Sequence, residues 1–251
     1  MTPKIPDFEG EKPFLDHLDD FRSVLFKILA SILIAGGLCL FFSPDILKIL
    51  KFPLAKALAW MHREGADKNM LMSLSPAGGF TLSLKLALLS GMILALPFIL
   101  FFLLRFISPA LKENEKKYLF PLFAAALTLF ISGTLLCYFY ALPQSLRFLW
   151  MFNERMGIVT FWTVESYVSF ASLFLLAFGL AFETPVLILG LVKLNILSPY
   201  LLRTGRRYAI VIIFIVAAVL TPPDAFSQIL LAIPMLILYE ICVWLSTWIK
   251  K

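Results

Sequence analysis

Charge is scarce in this sequence, and so are the residues that build catalytic and metal sites. Of its 251 residues only 15% are charged, two are histidines and three are cysteines, and the cysteines form no CxxC pair. Structural zinc, haem attachment and a disulfide framework are therefore not indicated, and we expect neither a metal nor a cofactor. Neither a nucleophile elbow, a P-loop nor an HExxH pattern occurs, so the sequence does not predict an enzyme.

Apolar residues, by contrast, dominate the chain. The types AVILMFWYC make up 61% of it, with 25 Phe, and the mean hydropathy is +0.90. A soluble fold of this size cannot bury so much apolar surface, and a disordered chain would be poor in apolar residues. The composition predicts an all-α polytopic membrane protein. The net charge of +6 comes from Lys and Arg in the gaps between apolar runs, which indicates topology and not nucleic-acid binding.

Six apolar runs predict six transmembrane helices in a single membrane domain that covers residues 1–251. The approximate spans are 24–42, 80–104, 118–140, 168–192, 208–220 and 229–249. The fifth run would be only about 20 Å long as a helix and could instead be a buried or re-entrant segment, but we interpret it as a span. The polar N-terminus lacks the basic start of a cleaved signal peptide, so we expect it to remain in the mature protein.

The distribution of Lys and Arg predicts the orientation. These residues are denser in the N-terminal segment, the second and fourth loops and the C-terminal tail than in the other loops. Basic charge of this kind marks the cytoplasmic side, so both termini are expected there. The first loop, 43–79, favours a pair of amphipathic helices with Lys48, Lys51 and Lys56 near one face. The third loop, 141–167, also looks partly ordered, so the two outer loops are expected to form a cap.

Glu183 stands out because it lies inside the fourth apolar run. An ionisable group at this depth costs roughly 2.5–3.5 kcal/mol on insertion scales, so it should face protein or water. It is either a carboxyl satisfied by a neighbouring helix or a functional group. One functional alternative is a proton-coupled secondary transporter for a small solute, with Glu183 as the coupling carboxylate. Pro185 is expected to kink the same helix.

The segment before the sixth run has the pattern of a helix start. Thr221 is the predicted N-cap, Pro222 suits the first helical position, and Asp224 stands where a capping-box acid stands. Gln228 follows one turn later at the edge of the membrane, where its amide could hydrogen-bond to another helix.

Acidic residues cluster on the predicted cytoplasmic side. An apolar stripe at helical spacing runs through the N-terminal segment into the first span, and other faces of that helix carry Asp16, Asp19 and Asp20. The second loop adds Glu113 and Glu115. These carboxylates are either a solvated acidic face or a site for a cationic partner, since acidic groups are not what an anionic membrane surface attracts.

Four separate blocks of the sequence resemble the TatC family, the multi-span receptor component of twin-arginine protein translocation. They are HLDDFR from His17, FISPAL from Phe106, FGLAFETPV from Phe178, and RRYAIVIIFIVAAVLTPPDAFSQILLAIP from Arg206. The resemblance implies six spans in a cupped bundle of the cytoplasmic membrane, with both termini inside and the concave face roofed by the outer loops.

The resemblance also implies a function. Family members bind the Arg–Arg signal peptide of folded cargo and assemble a translocase with single-span TatA- and TatB-type partners and further TatC copies in the lipid bilayer. The proton-motive force drives this transport. The expected chain is thus a receptor and not an enzyme, with no nucleic acid among its partners.

Site residues follow from the same resemblance, position by position. The family's signal-peptide contacts match Asp20 and Glu115, and Arg22 and Phe106 match neighbouring motif residues; an Asp replaces the usual Glu at 20. Glu183, Thr221 and Gln228 match a polar cluster that meets the partner helices. A guanidinium pairs bidentately with a carboxylate whereas Lys is a point charge, so two carboxylates at a fixed separation can distinguish Arg–Arg from Lys–Lys.

Overall fold

The computed structural model describes residues 14–60, 71–110, 116–194, 196–221 and 224–249. Helices and one short pair of strands make up this part of the chain. The elements are α1 (Phe14–Phe41), α2 (Ser43–Ala59), β1 (Leu71–Met72), α3 (Gly78–Ile107), α4 (Leu119–Leu136), α5 (Leu142–Arg155), β2 (Trp162–Thr163), α6 (Val164–Phe182), α7 (Thr184–Lys193), α8 (Pro199–Thr204), α9 (Arg206–Leu220) and α10 (Ala225–Ile249).

Five of the described segments are helical, long and apolar enough to cross a membrane. They are Leu18–Phe41, Gly78–Ile107, Leu119–Arg155, Val164–Lys193 and Ala225–Trp248. The protein is therefore an all-helical membrane protein. The predicted fifth span corresponds to α9, which has 15 residues and extends about 22 Å. Because α9 is shorter than the other five, its role as a sixth span stays a prediction.

Two close helix contacts depend on glycine. Helices α1 and α3 pack against each other, and a Cβ added to Gly91 would lie 2.6 Å from the Cα of Gly36. Helix α6, which is rich in buried residues, packs against α4. There a Cβ on Gly133 would lie 2.5 Å from the ring of Phe182. Helix backbones in membranes approach this closely where small residues line the contact. The contact at Gly133 involves Phe182, the last residue of α6.

In the described part of the first loop, one continuous helix replaces the predicted pair of amphipathic helices, so that prediction is wrong. Helix α2 continues through Pro53 and buries Leu50, Leu54, Ala57 and Leu58. Pro53 is itself buried on this face, so its ring packs in the core while the helix continues. The first and third loops then meet in a parallel pair of two-residue strands, with Leu71 opposite Trp162. This pairing supports the expectation of a structured cap.

The third long helix extends beyond its predicted end at residue 140. A π-helix over Cys137–Ala141 joins α4 to α5, so the chain stays helical as far as Arg155 where a loop was expected. A π-turn changes the backbone bonding pattern, and α2 supplies partners at that place. Lys56 Nζ donates to the carbonyl of Phe139 at 2.7 Å, and the Tyr138 hydroxyl donates to the carbonyl of Ile49 at 2.7 Å.

Candidate functional site

The N-terminal helix and the start of the second loop meet through two aromatic rings. Phe21 of α1 and Phe106 of α3 have ring centroids 5.7 Å apart at an interplanar angle of 53°. Asp20, the neighbour of Phe21, is half-buried, whereas Arg22 is exposed and its guanidinium lies 5.7 Å from the ring of Phe26. The structure therefore brings Asp20, Arg22 and Phe106 to one end of the α1–α3 pair.

Glu115 lies outside the described residues. Helix α3 continues into a 3-10 turn at Ser108–Ala110, and the description resumes at Lys116. Just beyond, two ammonium groups lie near the Tyr118 ring, with Lys117 Nζ at 5.2 Å and Lys193 Nζ at 4.3 Å from its centroid. The start of α4 and the end of α7 thus lie together at a basic rim, as expected for a membrane interface.

Glu183 lies at the junction between α6 and α7. The expected effect of Pro185 takes the form of a break: α6 ends at Phe182, and Pro185 stands in the first turn of α7. The Glu183 side chain is buried at 8% exposure. Among the described residues its Oε1 has no hydrogen-bond partner. A buried carboxyl oxygen without a partner is costly, so this position has capacity for a donor from outside the chain.

Thr221 is not the N-cap of the last helix, which corrects the prediction. Helix α10 begins at Ala225, and Asp224 is its N-cap because Oδ1 accepts from the backbone N–H of Ser227 at 2.7 Å. Thr221 instead ends α9, and its hydroxyl donates to the carbonyl of Ala217 at 2.8 Å. Pro222 lies outside the described residues. Asp224 directly precedes α10, and a capping side chain comes from that position.

Gln228 makes the predicted hydrogen bond to another helix. Its Nε2 donates to the carbonyl of Phe214 in α9 at 3.0 Å. The preceding residue, Ser227, donates through Oγ to Ser145 Oγ of α5 at 3.0 Å, and both serines are fully buried. The first turn of α10 is therefore tied to two other helices. Thr221 and Gln228 lie on either side of the turn between α9 and α10, and Glu183 lies at the α6–α7 junction.

Sequence reasoning missed two polar contacts. Arg206 donates to Glu240 across 34 positions at 2.9 Å, and the Ser145–Ser227 bond joins α5 to α10. A glutamate inside the last apolar run was the available signal for the first contact. The serines gave no signal, because small polar residues are ordinary in membrane helices. Within the described residues no group of three or more His, Cys, Asp or Glu side chains is arranged to hold a metal ion.

Known proteins are similar to this chain in both sequence and fold. Residues 16–234 match the family described as Sec-independent protein translocase protein (TatC). A protein of that name from Aquifex aeolicus is 36% identical over 235 residues, 93% of this chain and 94% of its own length. One from Escherichia coli K12 is 34% identical over 238 residues, covering 95% and 89%. One from Akkermansia muciniphila is 44% identical over 184 residues, 73% of this chain but 53% of that protein.

A solved structure agrees with this result. The crystal structure titled twin arginine translocase receptor TatC superposes with a TM-score of 0.80 at 34% identity, covering 94% of this chain and all of the other. A second, in DDM, gives 0.79 at 35% identity, covering 92% and 99%.

A multi-pass helical membrane protein with polar side chains at helix junctions is therefore the class that the fold defines. The chain belongs to the TatC family of Sec-independent protein translocase proteins. The predicted resemblance is confirmed, as is the prediction that the chain is a translocase component and not an enzyme. A place in the cytoplasmic membrane is in accord with this family.

Proposed function

We propose that this chain is the receptor core that binds the Arg–Arg signal peptide of folded cargo. Both termini would lie in the cytoplasm, with α9 as a sixth span of a cupped bundle. The Phe21–Phe106 contact carries the proposal, because it holds the segment with Asp20 and Arg22 against the loop that leads to Glu115.

Two carboxylates on different elements are what the recognition requires. Asp20 is carried by a long helix, and Glu115 belongs to the loop between α3 and α4. The Phe21–Phe106 packing limits how far the two elements can separate, and a bidentate guanidinium pair is sensitive to separation. Arg22, which we also assign to the signal-peptide site, is exposed next to the Phe21–Phe106 contact.

A second part of the proposal concerns partner helices of TatA- and TatB-type proteins. The support is the Glu183 oxygen, which has no partner among the described residues. Gln228 is a second polar side chain that the resemblance assigns to the same cluster, and its amide donates to the carbonyl of Phe214 in α9.

The burial of Glu183 also favours a second candidate, a proton-coupled transporter for a small solute, since both functions use a buried carboxyl. The two functions differ in the group with which the Glu183 carboxyl interacts. A receptor presents it to a partner helix, and a transporter exchanges its proton with water. Flux of a small solute in liposomes that contain this chain alone would support the transporter.

Site-specific photo-cross-linking tests the proposed receptor. A photoreactive residue is placed at positions 20, 115, 183 or 228, with position 200 as control because Tyr200 is exposed on α8. Each probe replaces one of the two carboxylates and leaves the other in place, so we expect positions 20 and 115 still to capture a twin-arginine peptide, and positions 183 and 228 to capture single-span partners. Capture of the peptide at 200 as readily as at 20 and 115 would contradict the proposal.

A further inference from the structure

The C-terminal half of α10 and the α8–α9 corner line a half-open cavity, and its lining residues include none of the site residues named above. Its volume is about 320 Å³, and its lining residues are Arg203, Arg206, Glu240, Val243 and Trp244. Two guanidinium groups therefore face one small space. That volume lies within the usual range for small-molecule sites, roughly 300–1,000 Å³.

The charges in this cavity leave one cation without a counterion. Arg206 is paired with Glu240 at 2.9 Å, which neutralises both groups. Arg203 lies at the end of α8, and no ion pair or hydrogen bond joins its exposed side chain to another described residue. The cavity therefore has a net positive charge, and a guanidinium fork is well suited to a phosphate group.

An apolar groove continues from the same cavity along the lipid-facing side of α10. Leu236, Ile237, Glu240, Ile241 and Trp244 line it, and its volume is about 480 Å³. Glu240 and Trp244 belong to both spaces, so the polar and apolar parts share an edge. Ile237, Ile241 and Trp244 are more than 40% exposed. An exposed tryptophan at this edge is typical of the membrane–water interface.

We propose that the two spaces together bind one anionic phospholipid. Its phosphate would lie between Arg203 and Arg206, and an acyl chain would follow the groove past Ile237 and Ile241. The charge selects an anionic head group, and the adjoining apolar groove selects a lipid over a free phosphate. Because Arg203 belongs to α8, Arg206 to α9 and Trp244 to α10, a bound lipid would join three helices across the Gly205 corner.

Lipid retention by the purified full-length chain tests this inference. The protein is equilibrated with equal amounts of phosphatidylglycerol and phosphatidylcholine, and bound lipid is counted by native mass spectrometry. We expect the wild-type chain to prefer phosphatidylglycerol, and Arg203→Gln to reduce that preference about tenfold, as expected for the loss of one charge-assisted contact. Arg207→Gln is the matched control, because Arg207 neighbours the cavity but packs on the Tyr208 ring at 5.0 Å.

Two further arms separate the sources of phosphate and the role of the groove. Ile237→Ser should weaken phosphatidylglycerol retention, whereas Ile229→Ser, an exposed position of α10 that does not line the groove, should not. Millimolar inorganic phosphate should not displace the lipid. No head-group preference, equal losses for Arg203→Gln and Arg207→Gln, or displacement by inorganic phosphate would each overturn the proposal. Circular dichroism and thermal unfolding confirm that each variant is folded.

Discussion

Phe21 and Phe106 are in ring contact although 85 positions of sequence separate them, and through them the first helix is fixed to the start of the second loop. Neither ring is fully buried. The contact is therefore not part of a buried core. Its main effect is to hold two segments that carry acidic residues in a defined relative position. It links the packing of α1 on α3 to the proposed recognition of a guanidinium pair.

Removing one ring of this contact should weaken peptide binding more than it weakens the fold. We expect Phe106→Ala to lower the affinity for a twin-arginine peptide by about three- to tenfold, because aromatic pairs contribute roughly 0.5–1.5 kcal/mol beyond burial. Isothermal titration with a synthetic peptide measures this. Phe101→Ala is the control, since Phe101 is exposed on the same helix and contacts Phe102 instead. Equal affinities for the two variants would show that the Phe21–Phe106 contact does not position the site.

The Ser145–Ser227 hydrogen bond should behave as a coupled pair. Each single change to Ala leaves one buried hydroxyl without its partner and should cost about 1–3 kcal/mol of the free energy of unfolding. The double variant should cost less than the sum of the two, because no hydroxyl then remains unpaired. Unfolding in mixed micelles measures all three variants. Strict additivity would indicate that the two serines do not interact.

Lys56 should stabilise the π-helix from outside. Its ammonium donates to the Phe139 carbonyl and lies 5.0 Å from the Trp60 ring. We expect Lys56→Met to lower the midpoint of thermal unfolding, at a cost of about 1–3 kcal/mol. Lys51→Met is the matched control, because Lys51 is exposed on the same helix. If both variants melted at the same temperature, the π-helix would not depend on the bond from Lys56.

Replacing Glu183 by an apolar residue should have opposite effects on the stability of the fold and on partner binding. Glu183→Leu removes a buried carboxyl whose Oε1 lacks a partner among the described residues, so it should leave the unfolding free energy unchanged or raise it. With the photoreactive residue at position 228, Glu183→Leu should abolish cross-linking to single-span partners, whereas Glu183→Gln should retain part of it by keeping a polar group. Strong destabilisation by Leu with normal cross-linking would assign Glu183 a structural role only.

The sequence predicted the long helices well because lipid requires each span to satisfy its own backbone hydrogen bonds. The predicted end of the third long helix, at residue 140, was wrong. Helix α5 lies outside the predicted span. Its mixture of aromatic and polar residues occurs both in helices and in ordered loops, so the composition did not distinguish the two. The π-helix at Cys137–Ala141 gave no sequence signal, and its hydrogen bonds to α2 join residues that are distant in the sequence.

The motif blocks predicted candidate site residues, but they did not predict the contacts of those residues. Gln228 was expected to bond across helices, and it does so with a backbone carbonyl that no side-chain pattern could identify. Thr221 and Asp224 are only three positions apart, so the cap was assigned to the wrong one. Asp20 and Phe106 are brought to one end of the α1–α3 pair, whereas Glu115 lies outside the described residues and its role stays a prediction.

The most direct test of the account is the affinity of the reconstituted chain for two peptides that differ only in Arg–Arg against Lys–Lys. The account predicts that the wild-type chain binds the arginine peptide at least about tenfold more tightly, since bidentate pairing needs a guanidinium. Asp20→Asn and Glu115→Gln should each reduce that ratio towards one. Equal affinities of the wild-type chain for both peptides would contradict the central claim.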